Sequence, residues 1–425
     1  MKSPTLQPYQ YRERREQYSE LFGATFQRLF EDKNVSDGAL RDEAHEYLKV
    51  LKRPDMAPDN SPLWIKWYAE RQPEKSFDVT SRSIFEGLYR TADDFEMPSS
   101  ARFISACICA EALVIRDAVD PELEAEAIAG GLADLAANWI GELMNPFMSD
   151  ENRGGRRAAR RFGYLEERLA ERDGDICVMC GRTFCAGANQ CAQQSVLPRF
   201  LEHTREGASP QWRTSDSPRP STWPDERPEL ARIFLRSVSE TPTATPSNPP
   251  AGSLQDGCIS MRAFETLRYY CDFPDTTIHP LSPSNCTLMH HRAYWAFMNL
   301  LWCLKPTQVP NRYDVVVFAP ADSIGTDHVD WVYFRDALNR SAVEPPSPDA
   351  LRVHAMVASV LHHSGATGLL AVPLCIPQYP PDDIKPAVTQ AGVEGKYLSH
   401  SHRSLLSRAL HALLGFVHVS HRLQR

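Results

Sequence analysis

The chain lacks a long apolar run. Of its 425 residues, we take 281–304 as the stretch nearest to a membrane span, and it is interrupted by Asn285, His290, His291 and Arg292. A membrane span needs roughly 18 to 20 apolar residues, so we expect no membrane partner. The charged first 22 residues contain no apolar segment. This predicts no secretory leader and an intracellular location, either cytoplasmic or nuclear.

Cysteine is scarce as well. Eleven cysteines in 425 residues are too few for a disulfide-stapled secreted scaffold, and an odd number cannot all pair within one chain. We therefore expect reduced thiols. The 42% hydrophobic and 24% charged residues are ordinary values, which exclude a wholly disordered or fibrous protein. Proline is in excess: the 33 prolines among 425 residues exceed the usual share of about 5%.

A surplus of basic residues is also missing, because the net charge is −8. This value excludes a uniformly basic nucleic-acid-binding protein. The acidity is uneven: residues 1–150 contain 17 basic and 27 acidic residues, whereas the remainder contains 29 and 27. Any contact with nucleic acid is therefore predicted for the later part of the chain.

Residues 1–150 predict an acidic α-helical region. Apolar residues recur near the helical period in four segments, residues 11–31, 37–51, 101–119 and 122–144. We interpret this region as a scaffold that binds a protein partner or mediates self-association. A basic hinge and a helix are expected over residues 151–172, where Arg and Gly are frequent. Such runs are typical of solvated linkers, or of phosphate contact or nuclear import.

Residues 173–345 predict a smaller α+β domain, followed by a C-terminal helical extension over residues 346–425. Nine prolines between residues 206 and 253 indicate an inserted surface loop or disordered segment. Within it, residues 224–238 are compatible with one short helix. The periodicity also predicts helices at 261–271, from the turn at 282–285 to about 297, and at 349–362. A hairpin of strands is predicted at 300–305 and 313–319.

Cysteines near the start of this domain have the spacing of metal ligands. Cys177 and Cys180 form a Cys-x-x-Cys pair, and two thiolates at this spacing can hold one face of a Zn²⁺ tetrahedron. The remaining ligands of a structural zinc site would come from Cys185, Cys191, His203, Cys286 or His290. Redox chemistry and ordinary reduced or buried thiols are the alternatives.

A second group of candidate residues follows the sequence Ser-Pro-Ser-Asn285. On a helix, His290 and His291 lie four and three residues before Tyr294, so the three side chains would share roughly one face. We expect this face to meet a metal ion. The alternative is that the two histidines are ordinary surface or packed residues.

The order of these features resembles the HNH nuclease superfamily, in particular the HNH-domain proteins abundant in fungi. A Cys-x-x-x-Gly turn is followed by Leu-Pro-Arg, a Trp-containing insertion, Ser-Pro-Ser-Asn, a helix ending in an aromatic residue, a Lys-Pro hairpin and Tyr-Asp-Val-Val-Val-Phe. The helix at residues 348–363 and the following Gly-Ala turn are similar to the segment after the domain in those proteins. The resemblance covers residues 173–368.

The resemblance implies a ββα-metal core and cleavage of DNA or RNA. In that core, a hairpin presents a general-base His, a loop Asn orients this His or shapes the loop, and a helix supplies a metal ligand. One divalent metal, Mg²⁺ or Zn²⁺, binds the scissile phosphate while the base activates water. No organic cofactor is expected.

Two of the three named positions depart from the family pattern. Where the family has Ala-His-Ile-x-Pro, this chain has Gln-Ser-Val-Leu-Pro, which places the base position on Ser195. Serine does not titrate near neutral pH. The middle Asn matches Asn285, but the last His is replaced by Tyr294, and a neutral phenol is a poor ligand for Mg²⁺.

Three hypotheses follow from these departures. The favoured one is a degenerate HNH-like protein that binds nucleic acid or a protein partner with little or no hydrolysis. The second is an active metal-dependent endonuclease in which His290 or His291 replaces the metal ligand and His203 the base. The third is a different enzymatic activity on the same scaffold.

Overall fold

The computed structural model describes residues 8–52, 79–147, 163–173, 177–179, 229–238, 259–274, 276–318, 329–334 and 343–367. These residues form α-helices and two small antiparallel sheets, which confirms the α+β class. The helices are α1 (Pro8–Glu31), α2 (Asp37–Leu48), α3 (Ser81–Asp94), α4 (Pro98–Ala118), α5 (Glu124–Met144), α6 (Gly163–Asp173), α7 (Met261–Cys271), α8 (His291–Met298) and α9 (Pro348–His363). The strands are β1 (Glu229–Arg232), β2 (Cys286–Met289), β3 (Trp302–Pro306), β4 (Arg312–Val317) and β5 (Trp331–Tyr333).

The predicted N-terminal helices are present, and their ends follow from local capping. Ser36 precedes α2, and its hydroxyl accepts the backbone N–H of Ala39 at 3.2 Å. Thr80 and Ser83 form a reciprocal capping box at the start of α3. These bonds satisfy N–H groups that have no partner within the first helical turn. Helix α4 lies at the centre and packs against α1, α2, α3 and α5.

The nearest candidate for a membrane span among the described residues is helix α4, and not residues 281–304 as expected, because α4 is long and apolar enough, by length and composition, to cross a membrane. Fourteen of its 21 residues are buried among the neighbouring helices. Packing inside the fold therefore accounts for its apolar character.

The two sheets lie in the later part of the described chain. Strand β1 pairs with β2, with Glu229 opposite Met289 and Arg232 opposite Cys286. The predicted hairpin is confirmed: β3 pairs with β4 from Trp302 opposite Val317 to Pro306 opposite Tyr313. Strand β5 then adds to the free edge of β4. Helix α9 packs against both β3 and α3.

One hydrophobic core joins the helical and mixed regions. It extends in sequence from Phe22 in α1 to Ala366 after α9. A small second cluster, centred on Leu169, Cys286 and Leu288, lies between α6 and β2.

One local prediction was wrong, and a second was correct only in part. Residues 229–238 of the expected short helix form β1 and the chain that follows it, where Ala231, Ile233 and Phe234 are fully buried. That part of the insertion is therefore core and not surface loop. The expected helix after the Ser-Pro-Ser-Asn turn is preceded by β2, all four of whose residues are buried. Both strands depend on pairing between distant segments, which local periodicity does not contain.

Candidate functional site

Strands β1 and β2 and helix α8 form a compact ββα arrangement. The two strands are antiparallel, residues 233–285 connect them, and α8 begins two residues after β2 ends. Helix α8 contacts both strands. Three of the described candidate residues, His290, His291 and Tyr294, lie in or next to this helix, and Asn285 directly precedes β2.

Asn285 is buried and holds the two ends of the strand connection together. Its Oδ1 accepts the backbone N–H of Phe234 at 2.9 Å. Its Nδ2 donates to the carbonyl oxygens of Phe234 at 2.8 Å and Pro280 at 3.1 Å. The Asn285 carbonyl oxygen accepts the N–H of Ile233 at 2.8 Å. Because these bonds occupy both side-chain donors and the acceptor, Asn285 shapes the loop.

Arg172 holds the same loop from the side of α6. Its guanidinium donates to both carboxylate oxygens of Asp173, at 2.6 and 2.9 Å. The remaining N–H groups donate to the carbonyl oxygens of Pro283, Glu344 and Cys286 at 2.8–2.9 Å. All five guanidinium donors are thus used in a side chain that is 2% exposed. The burial of this arginine was not predictable from local sequence patterns.

His290 and Cys177 meet at the start of α8. His290 is the N-cap residue of the helix, and its backbone N–H donates to the sulfur of Cys177 at 3.4 Å. Cys177 is fully buried. The segment is also tied to the chain before β5, because Val329 donates its N–H to the Met179 carbonyl at 3.0 Å. The Cys-x-x-Cys sequence therefore begins next to the helix that carries the candidate histidines.

The remaining candidate zinc ligands in the predicted set, Cys180, Cys185, Cys191 and His203, lie outside the described residues. Within the described ranges, no group of three His, Cys, Asp or Glu residues is placed to hold a metal ion. The Cys286 S–H donates to the Pro280 carbonyl, and burial raises the pKa of this thiol to about 12. It remains a protonated thiol at neutral pH.

The expected common face of His290, His291 and Tyr294 is only partly present. His290 precedes the helix, so His291 and Tyr294 alone belong to α8. Tyr294 is partly buried and packs against the core. His291 is 65% exposed, and its Nδ1 lies 3.2 Å from Oε1 of Glu229 on β1. Glu229 was missed by the sequence analysis because only the strand pairing brings it to α8.

The paired strands contain no imidazole. Strand β1 has the sequence Glu-Leu-Ala-Arg and β2 has Cys-Thr-Leu-Met. Ser195, the expected base position, lies outside the described residues. The strand that the structure pairs with β2 follows Ser195 by more than 30 residues.

The outer side of α8 combines basic and aromatic side chains. His291 and Arg292 are exposed, and Trp295, one turn after His291, is 52% exposed. A surface of this composition is suited to phosphate contact and to stacking on a base.

Comparison with protein-family models, with curated proteins and with solved structures finds no match.

Proposed function

We propose that this chain is an HNH-like protein whose ββα arrangement binds nucleic acid with little or no phosphodiester hydrolysis. The absence of an imidazole from β1 and β2 carries this proposal. Histidine is the side chain whose ordinary pKa suits proton transfer near neutral pH. Without a histidine on β1 or β2, water activation has no base at the position where the resemblance requires one.

The strand pairing also supports a different residue for the base position. Ala231 and Ile233 match the first and third positions of the family's Ala-His-Ile-x-Pro pattern, and Arg232 occupies the position of the histidine. Arg232 pairs with Cys286, the residue that follows Asn285. We therefore assign the base position to Arg232 instead of Ser195. A guanidinium stays protonated and cannot accept a proton, but it binds phosphate well.

The first test measures binding and cleavage separately. We expect labelled DNA or RNA oligonucleotides to bind with an affinity that falls as salt rises, and plasmid to stay intact with Mg²⁺ or Mn²⁺. Trp295→Ala and Arg292→Gln should weaken binding several-fold, since one removes a stacking surface and the other a charge. Trp331→Ala, on the half-exposed edge strand β5, is the matched control. Failure of the native protein to bind either nucleic acid would refute the proposal.

The alternative is an active metal-dependent endonuclease. It is favoured by the His291–Glu229 pair, because an imidazole and a carboxylate 3.2 Å apart are suitable ligands for a divalent metal. Metal-dependent nicking by the native protein that is lost in His291→Ala would establish this alternative.

If the unit is a degenerate HNH domain, the Arg232→His, Tyr294→His double variant should gain metal-dependent nicking.

We also propose a structural zinc ion held by Cys177 and Cys180, with further ligands from Cys185, Cys191 or His290. The N–H donated to the Cys177 sulfur supports it, because hydrogen bonds to the charged form favour a thiolate. We expect about one zinc per chain in protein purified without chelator, and loss of zinc in Cys177→Ser. Cys109→Ser, in the buried face of α4, should retain the metal. Zinc-free native protein would contradict this site.

A further inference from the structure

Glu111 is a buried carboxyl group at the meeting point of three helices. It lies on α4 with 1% of its surface exposed, where α1 and α5 both pack. The Tyr18 hydroxyl of α1 forms a hydrogen bond with this carboxyl. The Oε2 atom has no hydrogen-bond partner. A buried carboxylate with an unbonded oxygen is costly, so this environment favours the neutral acid.

The helix packing is built around this carboxyl. Gly131 of α5 faces it, and a Cβ atom added at Gly131 would overlap Oε1 of Glu111. Any larger residue at position 131 would require the side chains of Glu111 and Ile115 to shift. The site of the carboxyl is therefore specified by both neighbouring helices, through Tyr18 on one side and Gly131 on the other.

The ionisable groups near Glu111 are Tyr18 from α1, Asp134 from α5 and Cys107 from its own helix. Burial raises the pKa of Glu111 to about 8, against the lowering effect of the Tyr18 hydrogen bond, and Asp134 raises it further. The carboxyl is thus mainly protonated at neutral pH.

We propose that Glu111 is a proton-linked clamp for α1, which docks on α4 and α5 while the carboxyl is neutral and is released when it ionises. In the released state Glu111 contacts water and has an ordinary pKa near 4.5. Docking is therefore strongest below that pH and weakens about tenfold per pH unit up to about pH 8, where the effect levels off. Release uncovers Phe22 and Phe26, which are buried against the core.

Hydrogen exchange of the full-length protein tests this clamp. Protection factors of amides in α1, corrected for intrinsic exchange, should fall about tenfold per pH unit between about pH 5 and about pH 8. Glu111→Gln keeps the shape and the hydrogen bond with Tyr18 but cannot ionise, so its α1 protection should be independent of pH. Glu20→Gln, on the exposed side of α1, should behave like the native protein.

Three outcomes would overturn the clamp. The first is native α1 protection that does not change with pH. The second is an equal change in native protein and Glu111→Gln. The third is a parallel loss of protection in α9. Loss of protection in both helices would indicate global unfolding and not release of α1 alone.

Discussion

Replacement of Arg172 by methionine is expected to lower the free energy of unfolding by about 3–5 kcal/mol. The substitution removes five hydrogen bonds at once and leaves Asp173 as a buried carboxylate without its cation. The carbonyl oxygens of Pro283, Glu344 and Cys286 lose their donors in the same step. Urea or guanidinium denaturation at neutral pH measures the change.

The chain contains a matched control for this experiment. Arg116 is also followed by aspartate near the end of a helix, but the Arg116 and Asp117 side chains are 49% and 70% exposed and 3.8 Å apart. The Arg172 and Asp173 side chains are 2% and 9% exposed and 2.6 Å apart. Arg116→Met should change stability by less than about 1 kcal/mol. Equal effects of the two substitutions would show that Arg172 is not a central anchor of the Asn285 loop.

Lysine at position 172 is expected to rescue little of the loss. Its ammonium carries three donors on a flexible stem, whereas the site uses five donors in a planar fork. If the Arg172→Lys variant were as stable as the native protein, the positive charge alone, and not the planar geometry of the guanidinium, would hold the loop.

The second large effect is acid-sensitive packing of α9 on the end of α8. The neutral ring of His354 stacks on Phe297 at 3.9 Å, and its Nε2–H donates to the Phe297 carbonyl at 3.2 Å. Burial lowers the pKa of His354 to about 3. His362 repeats the arrangement about two turns further along α9. It stacks on Phe318 and donates to the Leu300 carbonyl, and burial lowers its pKa to about 4.

The sign of this effect follows from the lowered pKa. An unfolded histidine has a pKa near 6.5, so above that pH both states are neutral and the full stabilisation is present. As pH falls from 6.5 toward 3, only the unfolded chain takes up the proton. His354 alone therefore removes about 1.4 kcal/mol of stability for each pH unit in that window. His362 acts in the same direction.

A difference between variants isolates this contribution, because Glu111 changes stability in the opposite direction over part of the same range. His354→Gln retains an N–H donor but does not titrate. We expect its deficit in unfolding free energy relative to the native protein to shrink as pH falls below 6.5. His279→Gln, at an exposed histidine, is the matched control for the change of side chain. A constant deficit for His354→Gln would contradict the assignment.

Sequence periodicity was sufficient for the helices whose signals are local. Helix α7 matches the expected range, and α2, α5 and α9 begin or end close to predicted caps. The β3–β4 hairpin was also predictable, because both strands lie within one short window around a turn. Strands β1 and β2 were missed because each is four residues long and is stabilised by a partner more than 50 residues away.

The candidate site was predictable only in part. Asn285 could be singled out from its Ser-Pro-Ser-Asn context, and the histidines from their position before Tyr294. Arg172, Glu229 and Arg232 could not, because their importance comes from contacts with β2, α8 and the Asn285 loop. These contacts join residues that are 54 to 172 positions apart in the chain. Local sequence rules carry no information over such separations.

The packing of α3 on α9 has a consequence for synthesis on the ribosome. Ser83 donates its hydroxyl to the carbonyl of Ser364, and Gly87 allows close approach of the two segments. Residues 95–347 are translated between these helices. At about 5–20 residues per second, α3 waits on the order of tens of seconds for its partner. We expect the nascent helices to rely on chaperones during this interval, and slower translation to increase aggregation of unfinished chains.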